Sequence, residues 1–415
     1  MSKAKAKAKA KAKAKAKAKA KAKIKEIALF VIKIINFLVP KNKNRILFKS
    51  IPDFSGNCKA LFDYLYSNHP HFDLVWAVSA SDLKMGSYSG TNKMVTFGTI
   101  KFYYYYLTSG TIVTSHNELV STSVSNQNYL SLWHGMPFKK ICYLSPYDYQ
   151  GMKDISVFRI ATSELTRAII SASFREKANK VVITGQPRND FLFEKKDIVE
   201  SRWNISKYNQ VLSYIPTFRE NQADSRNIDG RYSDGLAIND VNFLRVSDFD
   251  LKEVNRYLEI NNYLLLVKLH PFEELSLKDK YLGKNIKIVD SKFMMDNHLD
   301  VNHLLAFTDL LISDYSSVYF DFLILDRPIV FLVPDLNTYA LSRGGFTLEP
   351  FEYWTPGAKV HSQRSLLSAV DGSFSDNDKF STKRSEVSML INKYNDNSNS
   401  RRVFDAFLKG GVSED

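Results

Sequence analysis

The chain has 415 residues, too many for one ordinary core and enough for two domains. Hydrophobic residues make up 44%, with 28 Phe and 22 Tyr, which excludes a chain that is disordered throughout. The net charge of +13 is uneven: Lys3 to Lys23, at every second position, carry 11 of the 57 basic residues, and the other 46 nearly balance 44 acidic ones. The folded part therefore lacks the basic face that nucleic-acid binding needs, and no nucleic acid is expected as a partner. Cys58 and Cys142 are the only cysteines, which excludes a disulfide framework and fits a reducing compartment.

The Lys-Ala repeat, residues 1–23, reads as disordered, because lysines at i and i+4 repel each other. It adds charge and is given no other role. Next comes IKEIALFVIKIINFLV, Ile24 to Val39, stopped by Pro40. It is shorter than the roughly 20 residues that span a bilayer and it contains charges. Lys25, Lys33 and Asn36 share one side of a helical wheel, so residues 24–40 are expected to lie in the membrane interface, on anionic lipid. The competing reading is a helix packed on the domain. No small-residue cleavage site follows, so no cleavable signal peptide is expected.

From residue 45 short apolar runs alternate with helical segments. RILFKS (45–50), FDLVWAVS (72–79), TIVTS (111–115), YLSLWH (129–134), VFRIATS (157–163) and KVVITG (180–185) read as strands. IKFYYYYLTSG (100–110) reads as a helix closed by its glycine. After a polar stretch at 193–209 a second series starts with QVLSYIPTF (210–218) and continues through YLLLVKL (263–269), NIKIVD (285–290), LLIS (310–313) and PIVFLV (328–333). The expected class is α/β, with two facing Rossmann-like domains at 41–205 and 206–384, a cleft between them, and C-terminal helices at 385–415 that cross back.

Polar groups recur where strands end: His134-Gly135-Met136-Pro137, Gly185 to Asp190, Pro216 to Arg219, His270-Pro271, and Ser313 to Ser317. A single histidine or Arg-Asn-Asp turn is more often structural. Five such ends in two sheets point to a ligand outside the carboxyl ends of the strands. Ser316 and Ser317, opening a helix after Asp314-Tyr315, read as an anion site, against ordinary N-capping. Lys268 and His270 fall on one strand face, and a lysine there needs an anionic partner such as phosphate. Asp321 is placed to accept from ribose hydroxyls. No GxGxxG, Walker A, HExxH or CxxC pattern occurs, so neither a dinucleotide, P-loop ATP nor a metal is indicated.

WHGMPFKK, ITGQPRNDFL, YIPTFRE, KLHP and LLISDYSSVYFDFLILDRPIVFLVPDLNTY together resemble the motifs of the CDP-glycerol:poly(glycerophosphate) glycerophosphotransferases, which build teichoic acids and related capsule polymers. RGGFTLEPFEYWTPGAKV matches less closely, with an extra glycine. The resemblance spans roughly residues 110–360 and implies a GT-B fold, a peripheral enzyme on the cytoplasmic face of the membrane, and a CDP-alditol donor. A hydroxyl of a lipid-linked or polyol-phosphate acceptor would attack the β-phosphorus of CDP-glycerol or CDP-ribitol, releasing CMP without a further cofactor. It assigns the base to His134. His270, Lys268, Arg219, Ser316 and Ser317 would stabilise the donor phosphates, Asp321 would hold the ribose, and Gly135, Arg188, Asp190 and Asp314 would shape the cleft. Lys139 and Lys140 would attract a polyphosphate acceptor, or form a solvated loop. The rival of the same fold is a glycosyltransferase using a nucleotide-sugar. A non-catalytic membrane scaffold is the rival of another class.

Overall fold

The structure, a computed structural model, describes residues 20, 23–80, 93–149, 152–219, 238, 241–277, 280–375 and 378–410. Nearly all of the Lys-Ala repeat lies outside the described residues. The first sheet is built from β1 (Asn42–Lys49), β2 (Asp73–Val78), β3 (Lys93–Thr96), β4 (Ser109–Thr114), β5 (Asn128–Ser131), β6 (Phe158–Ala161) and β7 (Val181–Ile183). The second is built from β8 (Gln210–Tyr214), β9 (Tyr263–Val267), β10 (Ile286–Ile288), β11 (Leu310–Ser313), β12 (Ile329–Leu332) and β13 (Ala358–Val360). Their spatial orders are β3-β2-β1-β4-β5-β6-β7 and β10-β9-β8-β11-β12-β13.

Among the described residues every strand pairing within the two sheets is parallel, with Leu47 opposite both Val75 and Ile112 in the first sheet and Ile312 opposite both Tyr214 and Val330 in the second. Parallel strands need crossover connections that cover both faces, so their side chains are buried on both sides. This is why Leu264 to Val267 and Ile329 to Leu332 are unbroken apolar runs, buried throughout. Each sheet reverses its strand order once, at β1/β4 and at β8/β11. The crevice at such a reversal, beyond the carboxyl ends of the strands, is where open α/β sheets bind ligands.

The two units share one apolar core. Met136, Phe138, Ala161 and Phe174 of the first pack with Tyr319, Phe320, Phe346 and Phe351 of the second. The Phe138 ring lies 5.3 Å from Tyr319, 5.6 Å from Phe320 and 4.8 Å from Phe346. The C-terminal helices return to the first unit. Helix Ser381–Ile391 packs on helix Glu164–Phe174, and helix Asn399–Phe407 packs on helix Gly56–Asn68 through Val403, Phe404 and Phe407.

Three local features differ from the sequence reading. Residues 100–108 are helical as expected, but Gly110 lies inside β4 rather than closing that helix. A Cβ there would meet the Asn42 carbonyl oxygen at 2.8 Å, so glycine permits the close approach of β1. The strands β3 (KMVT) and β13 (AKV) are not among the expected ones, because neither sits in an apolar run. In the helix at 23–38, Asn36 does not belong to an exposed polar face. It is fully buried, and its Nδ2 donates to the Thr122 carbonyl at 2.9 Å and to Gln127 Oε1 at 3.0 Å. That side is the docked one, while Ile24, Ile27, Phe30, Phe37 and Leu38 are exposed.

Candidate active site

His134 follows β5 by three residues, in a turn that only an unusual backbone can make. Trp133 has φ 55° and Gly135 φ 148°. Asn57, on helix Gly56–Asn68, holds this turn by donating its Nδ2 to the carbonyls of Leu132 and Trp133, each at 3.1 Å. Arg188 Nη1 donates to the His134 carbonyl at 2.7 Å. A Cβ on Gly135 would stand 3.1 Å from Arg188 Nη2 and 3.5 Å from Ser317 Oγ, so a glycine lets the two halves of the cleft approach this closely.

The His134 ring is solvent-accessible but sits among protein atoms. Burial, together with His116, Arg188 and Lys139, pushes its pKa down to about 3, partly opposed by a hydrogen bond to the Ser115 backbone. The His134 ring is therefore neutral at physiological pH. That hydrogen bond to the Ser115 backbone engages one ring nitrogen. A neutral imidazole with one nitrogen tied back is arranged to take a proton at the other.

Arg188 joins the two units. Its Nη2 lies 2.6 Å from Asp321 Oδ2, and Gln186 Nε2 donates to Asp321 Oδ1 at 2.7 Å. Asp321 is fully buried, and that burial raises its pKa while Arg188 offsets part of the effect. A ribose hydroxyl needs a carboxylate it can reach. The carboxylate of Asp321 is instead engaged by Gln186 and Arg188, and its place in the site is to fix Arg188 against the His134 turn. Asn302 adds a second tie, from Nδ2 to the Arg188 carbonyl at 3.1 Å.

In the second unit Asp314 braces the serine loop. Its Oδ1 accepts from Thr217 N and Thr217 Oγ1, both at 2.8 Å, and from Ser316 N at 3.1 Å. Ser316 Oγ accepts weakly from Val318 N at 3.4 Å, whereas Ser317, the residue before helix Val318–Phe322, makes no side-chain cap. The Ser317 hydroxyl is thus not used in capping and faces the Gly135 turn. His270 follows β9, with its ring 4.4 Å from that of Phe218.

Arg219 and Lys268 are held by carboxylates. Arg219 is buried, forks onto Asp335 at 3.0 and 3.1 Å, and lies over the Tyr315 and Tyr339 rings. Burial disfavours its charge, but Asp314 and Asp335 outweigh that and raise its pKa. Lys268 Nζ donates to Glu274 Oε1 at 2.5 Å and to Ser291 Oγ at 3.0 Å. The anion beside Lys268 is thus the Glu274 carboxylate where a phosphate was expected, and Lys268 lies just beyond the end of β9 at Val267 and not on a strand face. Asp190 is turned to the returning helix, where it accepts from the backbone N–H groups of Asn399 at 2.8 Å and Ser400 at 2.9 Å. Lys140 Nζ lies 3.9 Å from Glu349, and Lys139 Nζ lies 5.9 Å from the Tyr339 ring centre.

His134, Gly135, Arg188, Ser317 and Asp321 therefore converge, and Asp314 orders their surroundings. Sequence reasoning missed Asn57, Gln186, Ser115 and His116. His116 ends an apolar strand in the same way as the motifs that were noticed, in TIVTSHNE. Among the described residues no group of three or more His, Cys, Asp or Glu is disposed to hold a metal.

Residues 31–409 match the model of the CDP-Glycerol:Poly(glycerophosphate) glycerophosphotransferase family. A teichoic acid poly(glycerol phosphate) polymerase of Bacillus spizizenii is 28% identical over 360 residues, which cover 80% of this chain and 84% of that protein. The teichoic acid ribitol-phosphate polymerase TarL of Staphylococcus aureus is 29% identical over 261 residues, covering 59% of this chain and 42% of that one. A structure of the wall teichoic acid polymerase TagF, soaked with CDPG, aligns with a TM-score of 0.71 at 19% identity, over 92% of this chain and 94% of that one. At that identity the likeness shows the fold, the GT-B arrangement of two facing parallel-sheet units. The motifs expected at the strand ends lie within this match, and the chain belongs to the CDP-glycerol:poly(glycerophosphate) glycerophosphotransferase family.

Proposed function

We propose that this protein transfers glycerol phosphate or ribitol phosphate from its CDP-alditol to a hydroxyl of a membrane-associated acceptor, releasing CMP, in the synthesis of a teichoic acid or a similar capsule polymer. One observation carries the reading: the turn that bears His134 meets Arg188 through its carbonyl and Ser317 of the second unit through Gly135, in a chain of this family. Relatives named for glycerol phosphate and for ribitol phosphate polymers support both alditols.

In this mechanism the ring nitrogen of His134 that is not engaged by the Ser115 backbone takes the proton of the acceptor hydroxyl as its oxygen attacks the β-phosphorus. The bond from that phosphorus to the bridging oxygen breaks, and CMP leaves with the electron pair. In this reading Arg188, Ser316, Ser317 and His270 would bind phosphate oxygens and the charge that develops on them. Burial and the neighbouring cations Arg188 and Lys139 hold the pKa of His134 down, and a bound pyrophosphate would offset the cations and make the imidazole more basic where the proton must go. No cofactor besides the donor enters the scheme.

The membrane reading rests on the helix at 23–38. It is held to the first unit by Asn36, with Ile24, Ile27 and Val31 exposed. No helix among the described residues is long and apolar enough to cross a membrane. An exposed apolar stripe beside a lysine-rich segment suits a peripheral position on anionic lipid, at the cytoplasmic face. The test of function is CMP release from CDP-glycerol and from CDP-ribitol with polyol-phosphate and lipid-linked acceptors. Acceptor-dependent release supports the reading and names the alditol. Folded protein that releases UDP or GDP from a nucleotide-sugar instead would replace it with sugar transfer.

A further inference from the structure

Beside His134 stands a second histidine to which the mechanism above gives no part. His116 follows β4 directly after Ser115, and its ring lies parallel to that of His134, centre to centre 4.1 Å at 8°. Its own position is fixed from two sides. Its Nδ1 is 2.7 Å from Ser115 Oγ, and its backbone N–H donates to Glu118 Oε2 at 2.7 Å. Ser115 Oγ also accepts from Ile51 N at 3.0 Å, which fixes the hydroxyl beside His116 Nδ1. Ser115 thus serves both rings, its hydroxyl holding His116 and its backbone holding His134. The Trp133 ring also lies 4.3 Å from His134, tilted by 37°.

We propose that His116 is a positioning residue for the reaction: its ring holds the plane of the His134 imidazole in the cleft and keeps that imidazole uncharged until the donor binds. The proposal rests on the reading of His134 as the base. Two stacked imidazoles cannot both take a proton cheaply, because charging one disfavours charging the other. The other charged groups facing His134 are Arg188, from the segment after β7, and Lys139, from its own loop. Asp321 reaches it only through Arg188. The titratable and charged groups that face the ring directly are thus cations or become so, and His116 is the closest ring. Burial lowers the pKa of His116 too, so at neutral pH the pair is uncharged.

The test is the pH profile of acceptor-dependent CMP release in His116→Ala and His116→Phe, beside His134→Ala. Removing the ring in His116→Ala uncovers the face of the His134 ring against which it stacks and ends the repulsion. The acid limb of kcat/KM should then move up by about one pH unit, toward the ordinary histidine value. At pH 8 kcat should fall roughly tenfold while KM for the CDP-alditol stays within about twofold, as expected when a group that acts in the transition state is misaligned. His116→Phe keeps a flat ring against His134 and should recover most of kcat at pH 8. An acid limb that does not move in His116→Ala, whatever happens to the rate, overturns the proposal. So does a His116→Phe variant as slow as His116→Ala at pH 8. If His134→Ala itself keeps acceptor-dependent turnover, the underlying reading of the base falls instead, so the two failures are told apart.

Discussion

Asp321 and Arg188 are a buried pair whose side chains are 0% and 12% exposed. Breaking such a pair by removing one partner typically costs ~3–5 kcal/mol, because a charge is left buried and unpaired. Asp321→Asn should therefore lower the denaturant midpoint and also slow CMP release, since Arg188 loses its anchor beside the His134 carbonyl. Replacing both, as Arg188→Met with Asp321→Leu, should restore much of the stability and none of the activity. Recovery of activity in the double variant would show that Arg188 has no part in the chemistry. A second prediction concerns pH. His134 has a folded pKa below 6.5, so as pH falls through 6.5 the unfolded chain takes up its proton first. The stability tied to neutral His134 is full above pH 6.5 and declines as pH drops toward 3. His134→Asn should flatten denaturation midpoints measured between pH 7.5 and 5, and an unchanged slope would contradict this. At this scale the sequence was legible in part. Polar side chains after buried strands mark His134, Arg188 and Ser317, but a motif does not say which way a side chain turns. Arg219 meets Asp335, 116 positions away, and no local pattern announces that partner.

Helix Asn399–Phe407 shows how an element is held by a distant motif. Asp190 accepts from its first two backbone N–H groups, and a Cβ on Gly185 would collide with Asn399 Oδ1 at 1.8 Å. Asp190→Ala removes a cap generally worth ~1 kcal/mol, so hydrogen exchange across residues 399–407 should speed up well before the sheets are affected. Equal protection in variant and parent would mean that packing of Val403, Phe404 and Phe407 holds this helix without the cap. The helix at 23–38 gives the opposite case, an element whose apolar side faces outward. Phe30→Ser with Phe37→Ser should abolish sedimentation with phosphatidylglycerol vesicles and leave the melting temperature unchanged, because both residues are exposed. A drop in melting temperature with vesicle binding intact would place these residues in packing instead. The long apolar strands and most of the longer helices could be read directly, since burial on both faces leaves only apolar choices. What escaped were segments of three or four residues, β3 and β13, and the docked side of the first helix. Asn36 looks like a surface residue by composition and is buried because Thr122, Gln127 and Lys41 satisfy it.

On the scale of the molecule, the two units behave as one body where Phe138 enters the aromatic cluster of the second. Phe138→Ala should cost ~3–5 kcal/mol, as large-to-small changes in a packed aromatic core do. It should also weaken the junction between the sheets, so that a single unfolding transition separates into two by calorimetry. A single transition in the variant would mean that the returning helices alone couple the units. That junction, with the Arg188–Asp321 pair, sets the cleft in which His134 faces the serine loop. The most direct test of the account is CMP release by the purified protein from CDP-glycerol and CDP-ribitol, with and without a polyol-phosphate acceptor, beside folded His134→Ala. The account predicts acceptor-dependent release by the parent and a loss of about 10²-fold or more in the variant, the scale expected for a general base. Release that persists undiminished in His134→Ala, or no release from either donor by folded parent protein, would contradict it.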